Sequence, residues 1–293
     1  DGKTLKLRTE ATDKNNGAVV KTMNGAAGVR SSITLNGQVD IEADGVKSNE
    51  GLSAVASDIR VAGGAIKATG GAQYAIRAYG EYASTNEGRV YVNTTEDTAG
   101  NATGAANNKT VLVGNISTSG SMNSKGVVNI GLNTSDSSWT GDYAESNEGT
   151  VNLWLGSGAQ WTGRTADSSN LNMNLLDSGS LWKLTGTSHV KNLAASSTVG
   201  RSVFDMTDKL SIGNFSGRAY FLYGNTVTTT HDADTETDVK HVAVNGAEVH
   251  VAKAASGSEI TLHTDAKSNT TGGWNWTTSG TPAGQNITSS VVQ

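Results

Sequence analysis

Short apolar alternations recur along this chain at nearly even intervals, and that recurrence restricts the fold more than any other feature. Val90, Val111, Val128, Val151, Leu171, Val190 and Leu210 follow one another at steps that vary little around a common value. Most lie in period-two segments such as Val90-Tyr91-Val92, Val128-Asn129-Ile130, Val151-Asn152-Leu153 and Leu171-Asn172-Met173. Val39-Asp40-Ile41 and Ile59-Arg60-Val61 repeat the pattern upstream. Alternation of this kind marks a β-strand with one apolar side. A second series, Trp139, Trp161 and Trp182, runs in phase with the first at almost the same step. Asn-Glu-Gly recurs at 49–51, 86–88 and 147–149, the last two directly before a strand. The shared period, about 20 residues, accommodates three short strands and three turns, the coil of a β-solenoid.

The expected class is therefore all-β: a parallel β-helix with three strands per coil. No stretch carries a 3.6-residue apolar period with caps, and only 51–59 is compatible with a short helical turn. The inward series is predicted as Val90, Val111, Val128, Val151, Leu171 and Val190, one per coil. Each strand pairs with its equivalent above and below, so outward Asn, Ser and Thr can form ladders. About 14 coils at about 4.8 Å each make a rod of about 65–70 Å. Glycine usage agrees, with 36 Gly but a single Pro, Pro282. Gly and Asn supply the positive φ of tight corners, while Pro cannot donate to a strand ladder.

Composition removes several function classes. There is no cysteine, so disulfides and thiolate metal sites are excluded. A chain that crosses an oxidising compartment unfolded benefits from that, since a premature bridge would block threading. With 22 basic and 27 acidic residues scattered along the chain, no basic stripe offers a phosphate-tracking surface, and nucleic acid is not an expected partner. No apolar run reaches the length needed to span a bilayer, and no leader-like segment opens the chain.

Catalytic signatures are sparse. Neither Gly-x-Ser-x-Gly nor Gly-Asp-Ser-Gly occurs, and His189, His231, His241, His250 and His263 all fall late in the chain. They read as turn and strand residues. Asp136, Asp142, Glu145 and Glu148 read as solvated loop charges, not as the converging carboxylates a glycan-cleaving enzyme requires. The acidic run from His231 to His241 fails the calcium-loop pattern, because a loop opening at Asp232 has Thr237 and Ala243 where Gly and Glu are needed. No catalytic residue, metal ligand or cofactor is assigned, and no binding residue is specified. The three phased tryptophans read as packing elements of the solenoid, whereas Trp274 and Trp276 are better placed for an exposed contact.

From Val151 to about Tyr223 the chain resembles the pertactin-like passenger region of type V autotransporters. The resemblance rests on the order of several short segments over that whole stretch. It begins with Gly149-Thr150-Val151-Asn152-Leu153, Gly158-Ala159-Gln160-Trp161-Thr162-Gly163 and Leu171-Asn172-Met173. It continues through Gly179-Ser180-Leu181-Trp182-Lys183-Leu184-Thr185-Gly186, Val190-Lys191-Asn192-Leu193 and Leu210-Ser211-Ile212-Gly213-Asn214-Phe215-Ser216-Gly217. It implies a right-handed β-helix, secretion through the outer membrane, and an autochaperone region at the C-terminal end of the passenger. On this basis residues 1–180 are expected as passenger coils and 181–267 as an autochaperone-like cap. Residues 268–293 are expected as a tail or linker toward a missing translocator barrel.

The expected function is that of an adhesin or self-associating protein at the bacterial cell surface, anchored through that barrel or released by cleavage. Its partners are expected to be a host surface glycan or protein, or an identical passenger on another cell. The alternatives are a glycan-active enzyme, a lyase or hydrolase, and a structural stalk for a missing N-terminal domain. The dense apolar residues Val203-Phe204, Phe215 and Tyr220-Phe221-Leu222-Tyr223 are expected to form the folding nucleus from which the other coils stack.

Overall fold

The computed structural model describes residues 4–8, 17–23, 30–46, 48–80, 87–118, 125–145, 149–165, 170–177, 179–196, 202–206, 209–223, 248–255, 258–263, 273–277 and 285–288. Among these there is no helix, and the chain forms a parallel β-helix. Successive coils lay their strands on three faces. The first face carries 32–35, 58–61, Gly88–Val92, Gly126–Leu132, Thr150–Leu155, Leu171–Leu175, Ser188–Ala195 and 209–217. The second carries Leu5–Leu7, 39–43, 64–68, Thr110–Val113, Ser138–Thr140, Gln160–Gly163 and Leu181–Leu184, and continues through Ser202–Met206. The third carries Ala18–Met23, Glu50–Val55, Tyr74–Tyr79, Asn115–Ser117 and Tyr143–Glu145. The segment 51–59 is two strands joined by a bend at Ala56-Ser57, not a helical turn: it leaves the third face through Ala56, at φ 50°, and enters the first at Asp58.

Parallel, in-register pairing stacks like residues into columns that form the core. On the first face Ile59, Val90, Val128, Val151 and Leu171 are all buried, as the alternation predicts. Val190 is buried as well. Val111 is not in this series. It is only half-buried, its neighbour Leu112 is the buried residue, and both lie on the second face. The run Val111-Leu112-Val113 is apolar at every position, so alternation there does not select the inward residue.

The second face holds the longest column, in which the register runs Leu7, Ile41, Ile66, Leu112, Trp139, Trp161, Trp182, Phe204, Phe221, Leu262. Among the described residues these ten levels replace the expected 14 and make a stack about 43 Å long at the usual strand spacing. The shortfall has a local cause in part, since residues 94–105 form an inserted antiparallel hairpin that adds length without adding a level.

The third face ends early. After Tyr143–Glu145 only one isolated parallel bridge, from Tyr143 to Thr165, extends it among the described residues. Later coils place their described strands on two faces. At the last parallel strands, Glu248–Ala254 and Glu259–His263, the pairing reverses: Gln285–Thr288 and Gly273–Thr277 join them antiparallel. Both closing strands lie in the segment expected as tail or linker. The acidic 231–241 run lies outside the described residues.

Corners between the first and second faces need glycine where the backbone turns inside a continuous strand. Gly217, at φ +91°, divides Lys209–Tyr223, and a Cβ there would sit 1.6 Å from the Ala195 carbonyl oxygen. Gly64, at φ +115°, does the same in Asp58–Ala68, facing the Val39 backbone. Positive φ and close approach together exclude any side chain.

Candidate binding face

Alternation along the first face that buries Val151 and Leu153 turns Asn152 and Trp154 outward, and the register repeats that arrangement from coil to coil. Asn129, Asn152, Asn172, Asn192 and Asn214 occupy equivalent positions. Their side chains form a ladder: each Nδ2 donates to the Oδ1 of the rung before it, at 2.8, 2.8, 2.7 and 2.8 Å in chain order. The first rung, Asn129, is buried and the last, Asn214, is exposed. An amide offers two N–H donors and a carbonyl with two lone pairs. A rung bonded above and below therefore keeps one donor and one acceptor directed away from the ladder.

Two residues further along each strand runs a second outward column: Gly131, Trp154, Asn174, Ala194, Ser216. Trp154 is half-buried and differs in this from Trp139, Trp161 and Trp182, which are fully buried and stack face to face with centroids 4.4 Å apart. Each buried indole also donates from Nε1 to a glycine carbonyl of the preceding coil: Gly114, Gly141 and Gly163, at 3.1, 3.0 and 3.0 Å. The phased tryptophans are packing elements. Trp154 is the outward one, and its signal in the sequence is parity with Asn152, two residues before it. The side chains of Trp274 and Trp276 lie outside the described set.

The inserted hairpin, Thr94–Glu96 with Ala102–Ala105, stands at the N-terminal end of the ladder. Asn93 anchors it. This residue is buried at φ 52°, and its Nδ2 lies within 3.0 Å of the Ala106, Asn108 and Gly131 carbonyls. Its Oδ1 accepts the Asn108 N–H at 3.1 Å. Gly131 gives the hairpin room, for a Cβ there would lie 2.7 Å from Ala105 and 2.2 Å from the Asn93 carbonyl oxygen. Arg60 clasps the base, bonding Glu96 at 3.1 Å while its guanidinium covers Tyr91 at 4.4 Å from the ring centroid. Beside the hairpin, Asn101, Glu87 and Arg89 border a cleft of about 170 Å³ that reaches Asn129 and Asn152.

At the other end of the ladder the short side chains Ala194, Ser216 and Ala255 leave a hollow of about 390 Å³, bordered by Asn192, Asn214 and Lys253. A separate polar notch of about 430 Å³ lies where the third face ends, between Asp142, Arg164, Thr165 and Thr187.

Of the carboxylates singled out from the sequence, the two whose side chains are described, Asp136 and Asp142, are held by different cations. Asp136 pairs with Lys109 at 3.2 Å, and Asp142 pairs with Arg164 at 3.4 Å. Glu148 and the side chain of Glu145 lie outside the described set. Among the described residues no three His, Asp or Glu side chains come close enough to share a metal ion. His189 is half-buried, and burial holds its pKa below the ordinary histidine value. Its backbone N–H donates to Thr165 Oγ1 at 2.6 Å. His231 and His241, and the side chains of His250 and His263, lie outside the described set. Comparison with protein-family models, with curated proteins and with solved structures found no match.

Proposed function

We propose that this chain belongs to the passenger of a type V autotransporter and acts at the bacterial surface as an adhesive rod, through self-association or contact with a host surface. The observation that carries the reading is the five-rung asparagine ladder. A face that repeats the same donor and acceptor at each coil, about every 4.8 Å, makes many equivalent weak contacts. Rods displayed in many copies multiply those contacts further, and linked weak contacts give avidity that no single contact supplies. Residue order from Val151 to Tyr223 supports the passenger assignment, and a rod that holds its faces clear of the membrane suits adhesion.

The test is display of the passenger, fused to a translocator barrel, on cells that otherwise neither clump nor adhere. Clumping, biofilm formation or binding to host cells is expected. A variant with Asn152, Asn172 and Asn192 replaced by Thr should display normally, keep its protease-resistant core and lose much of that adhesion. Full display of the unaltered passenger with no change in any of the three assays would sink the proposal.

A further inference from the structure

We propose that the outer side of the first face binds a neutral, extended polysaccharide, with Trp154 stacking on a sugar ring and the ladder amides hydrogen-bonding sugar hydroxyls. The inference rests on the adhesive reading and names the partner class of the same face.

Trp154 is the first observation. An indole at an outward, half-buried position, in a column otherwise made of Gly131, Asn174, Ala194 and Ser216, contributes little to the core. A flat apolar surface beside polar groups matches the two kinds of surface on a pyranose, an apolar face and a hydroxyl rim. The ladder is the second. Its interior rungs each keep one N–H and one lone pair outward, so every sugar hydroxyl passing along it meets both a donor and an acceptor. The four rungs beyond buried Asn129 extend about 14 Å, long enough for about three sugar units.

Shape and charge narrow the ligand further. Beyond Trp154 the surface falls into the hollow over Ala194 and Ser216, which gives a chain leaving the indole a trough beside the amides. From Asn129 to Ser216 the two outward columns carry no charged residue. Other charges on this face include Lys191, exposed beside the Asn192 rung, and those at the ends, where Arg60 pairs with Glu96, Arg89 pairs with Glu87, and Lys253 follows the last rung. A polyanion needs cations spaced along its track. A peptide adding by strand pairing needs an open sheet edge, and the strands that carry the ladder are already paired on both sides.

The purified chain is tested by affinity electrophoresis and by tryptophan fluorescence. The probes are three neutral polysaccharides, a β-glucan, a galactomannan and a mannan, with polygalacturonate as the charged control. Binding to at least one neutral polymer is expected, with a change in tryptophan emission, and none to polygalacturonate. Trp154→Ala should weaken that binding by about tenfold, while Trp154→Phe keeps part of it. Both variants should retain the near-ultraviolet circular dichroism of the buried indole stack, which shows that they fold. The inference is overturned if no neutral polymer binds, if Trp154→Ala binds as well as the parent, or if only polygalacturonate binds. It is also overturned if Trp154→Ala abolishes clumping while no polysaccharide binds, a result that identifies a protein partner. Unaltered adhesion together with absent polysaccharide binding removes the glycan and leaves the adhesive rod standing. Polysaccharide binding by the purified chain without adhesion of displaying cells does the reverse.

Discussion

Trp139 and Trp161 lie face to face, with ring centroids 4.4 Å apart and ring planes 4° from parallel. Trp182 continues the stack at the same spacing and 6°. Trp161, in the middle, is covered on both faces and bonded at its edge to the Gly141 carbonyl. The stack therefore ties three consecutive coils together through burial, ring contact and one hydrogen bond per coil.

Trp161→Ala should destabilise the chain by about 3–5 kcal/mol, the range for deleting a buried aromatic ring. Trp161→Phe keeps much of the burial but leaves the Gly141 carbonyl without its donor, a loss of about 1–3 kcal/mol. Urea denaturation of both variants, followed by near-ultraviolet circular dichroism, checks the order. Equal stability of the two would contradict the role assigned to the ring.

The ladder makes a prediction with a pH signature. Asn172 donates to Asn152 and accepts from Asn192, so Asn172→Ala removes two semi-exposed hydrogen bonds, about 1–2 kcal/mol in all. Asn172→Asp at pH 7 keeps the acceptor but sets a carboxylate against the Asn152 carbonyl oxygen, which should cost more than alanine. Protonation restores a donor, so the Asp variant should recover part of the loss below about pH 4. Thermal melts of the Asp and Ala variants at pH 7 and pH 3.5 check this, and an Asp variant that never gains on the Ala variant refutes it.

How much of this is legible in the sequence depends on how each segment alternates. Val151-Asn152-Leu153 and Leu171-Asn172-Met173 place one polar residue between two apolar ones, so their inward residues follow at once. The tryptophans at 139, 161 and 182 share a spacing and a Thr-Gly context, and pairing in register turns equal spacing into a stack. Val111 is misplaced by alternation because its neighbours Leu112 and Val113 are also apolar, and only the register of Leu112 with Trp139 decides which one faces the core. Trp154 escapes notice because it stands in a run, Val151 to Leu155, whose apolar character suggests core. The hairpin at 94–105 and the end of the third face among the described residues depend on which residues meet in space, and no local pattern encodes that.

Glycine at the corner is a sharper test of the coil geometry. Gly217→Ala forces a methyl group into the Ala195 carbonyl and strains a φ of +91°. The variant should lose several kcal/mol, because neither backbone segment can move without breaking the parallel pairing on both sides. Gly71→Ala, at φ +94° but with open space around it, should lose only the cost of the backbone conformation, about 1–2 kcal/mol. Denaturation midpoints for the two variants check the difference, and similar losses would remove the close approach as its cause.

His189 predicts an acid-sensitive contribution. Burial lowers its folded-state pKa, so between that value and the unfolded value of about 6.5 the unfolded chain binds more protons than the folded one. The contribution is complete above about pH 6.5 and is lost as pH falls toward the folded-state value. His189→Gln should flatten the stability profile between pH 7 and pH 5, with little change at pH 8. A variant that tracks the parent over the whole range would show that the imidazole titrates alike in the folded and the unfolded chain.

Phe215 bears on the order of folding. Its ring is buried, and its register places it between Leu193 and Ala254, in the coils nearest the antiparallel closing strands. Replacing it by alanine should cost about 3–5 kcal/mol locally. A solenoid coil contacts only its neighbours, so that loss falls on the C-terminal coils and does not spread evenly. Limited proteolysis of Phe215→Ala should open the chain first beyond Ser188, while the stack from Gly126 to Leu184 stays resistant. Val39→Ala, an equally buried truncation near the other end, should open only the N-terminal coils. If the C-terminal coils template the rest during export, the two variants part further in cells: Phe215→Ala should lose most of the protease-resistant passenger at the surface, and Val39→Ala should retain it. Equal surface yields from both variants would refute a C-terminal nucleus, and early digestion of the C-terminal coils in the unaltered chain would refute it directly.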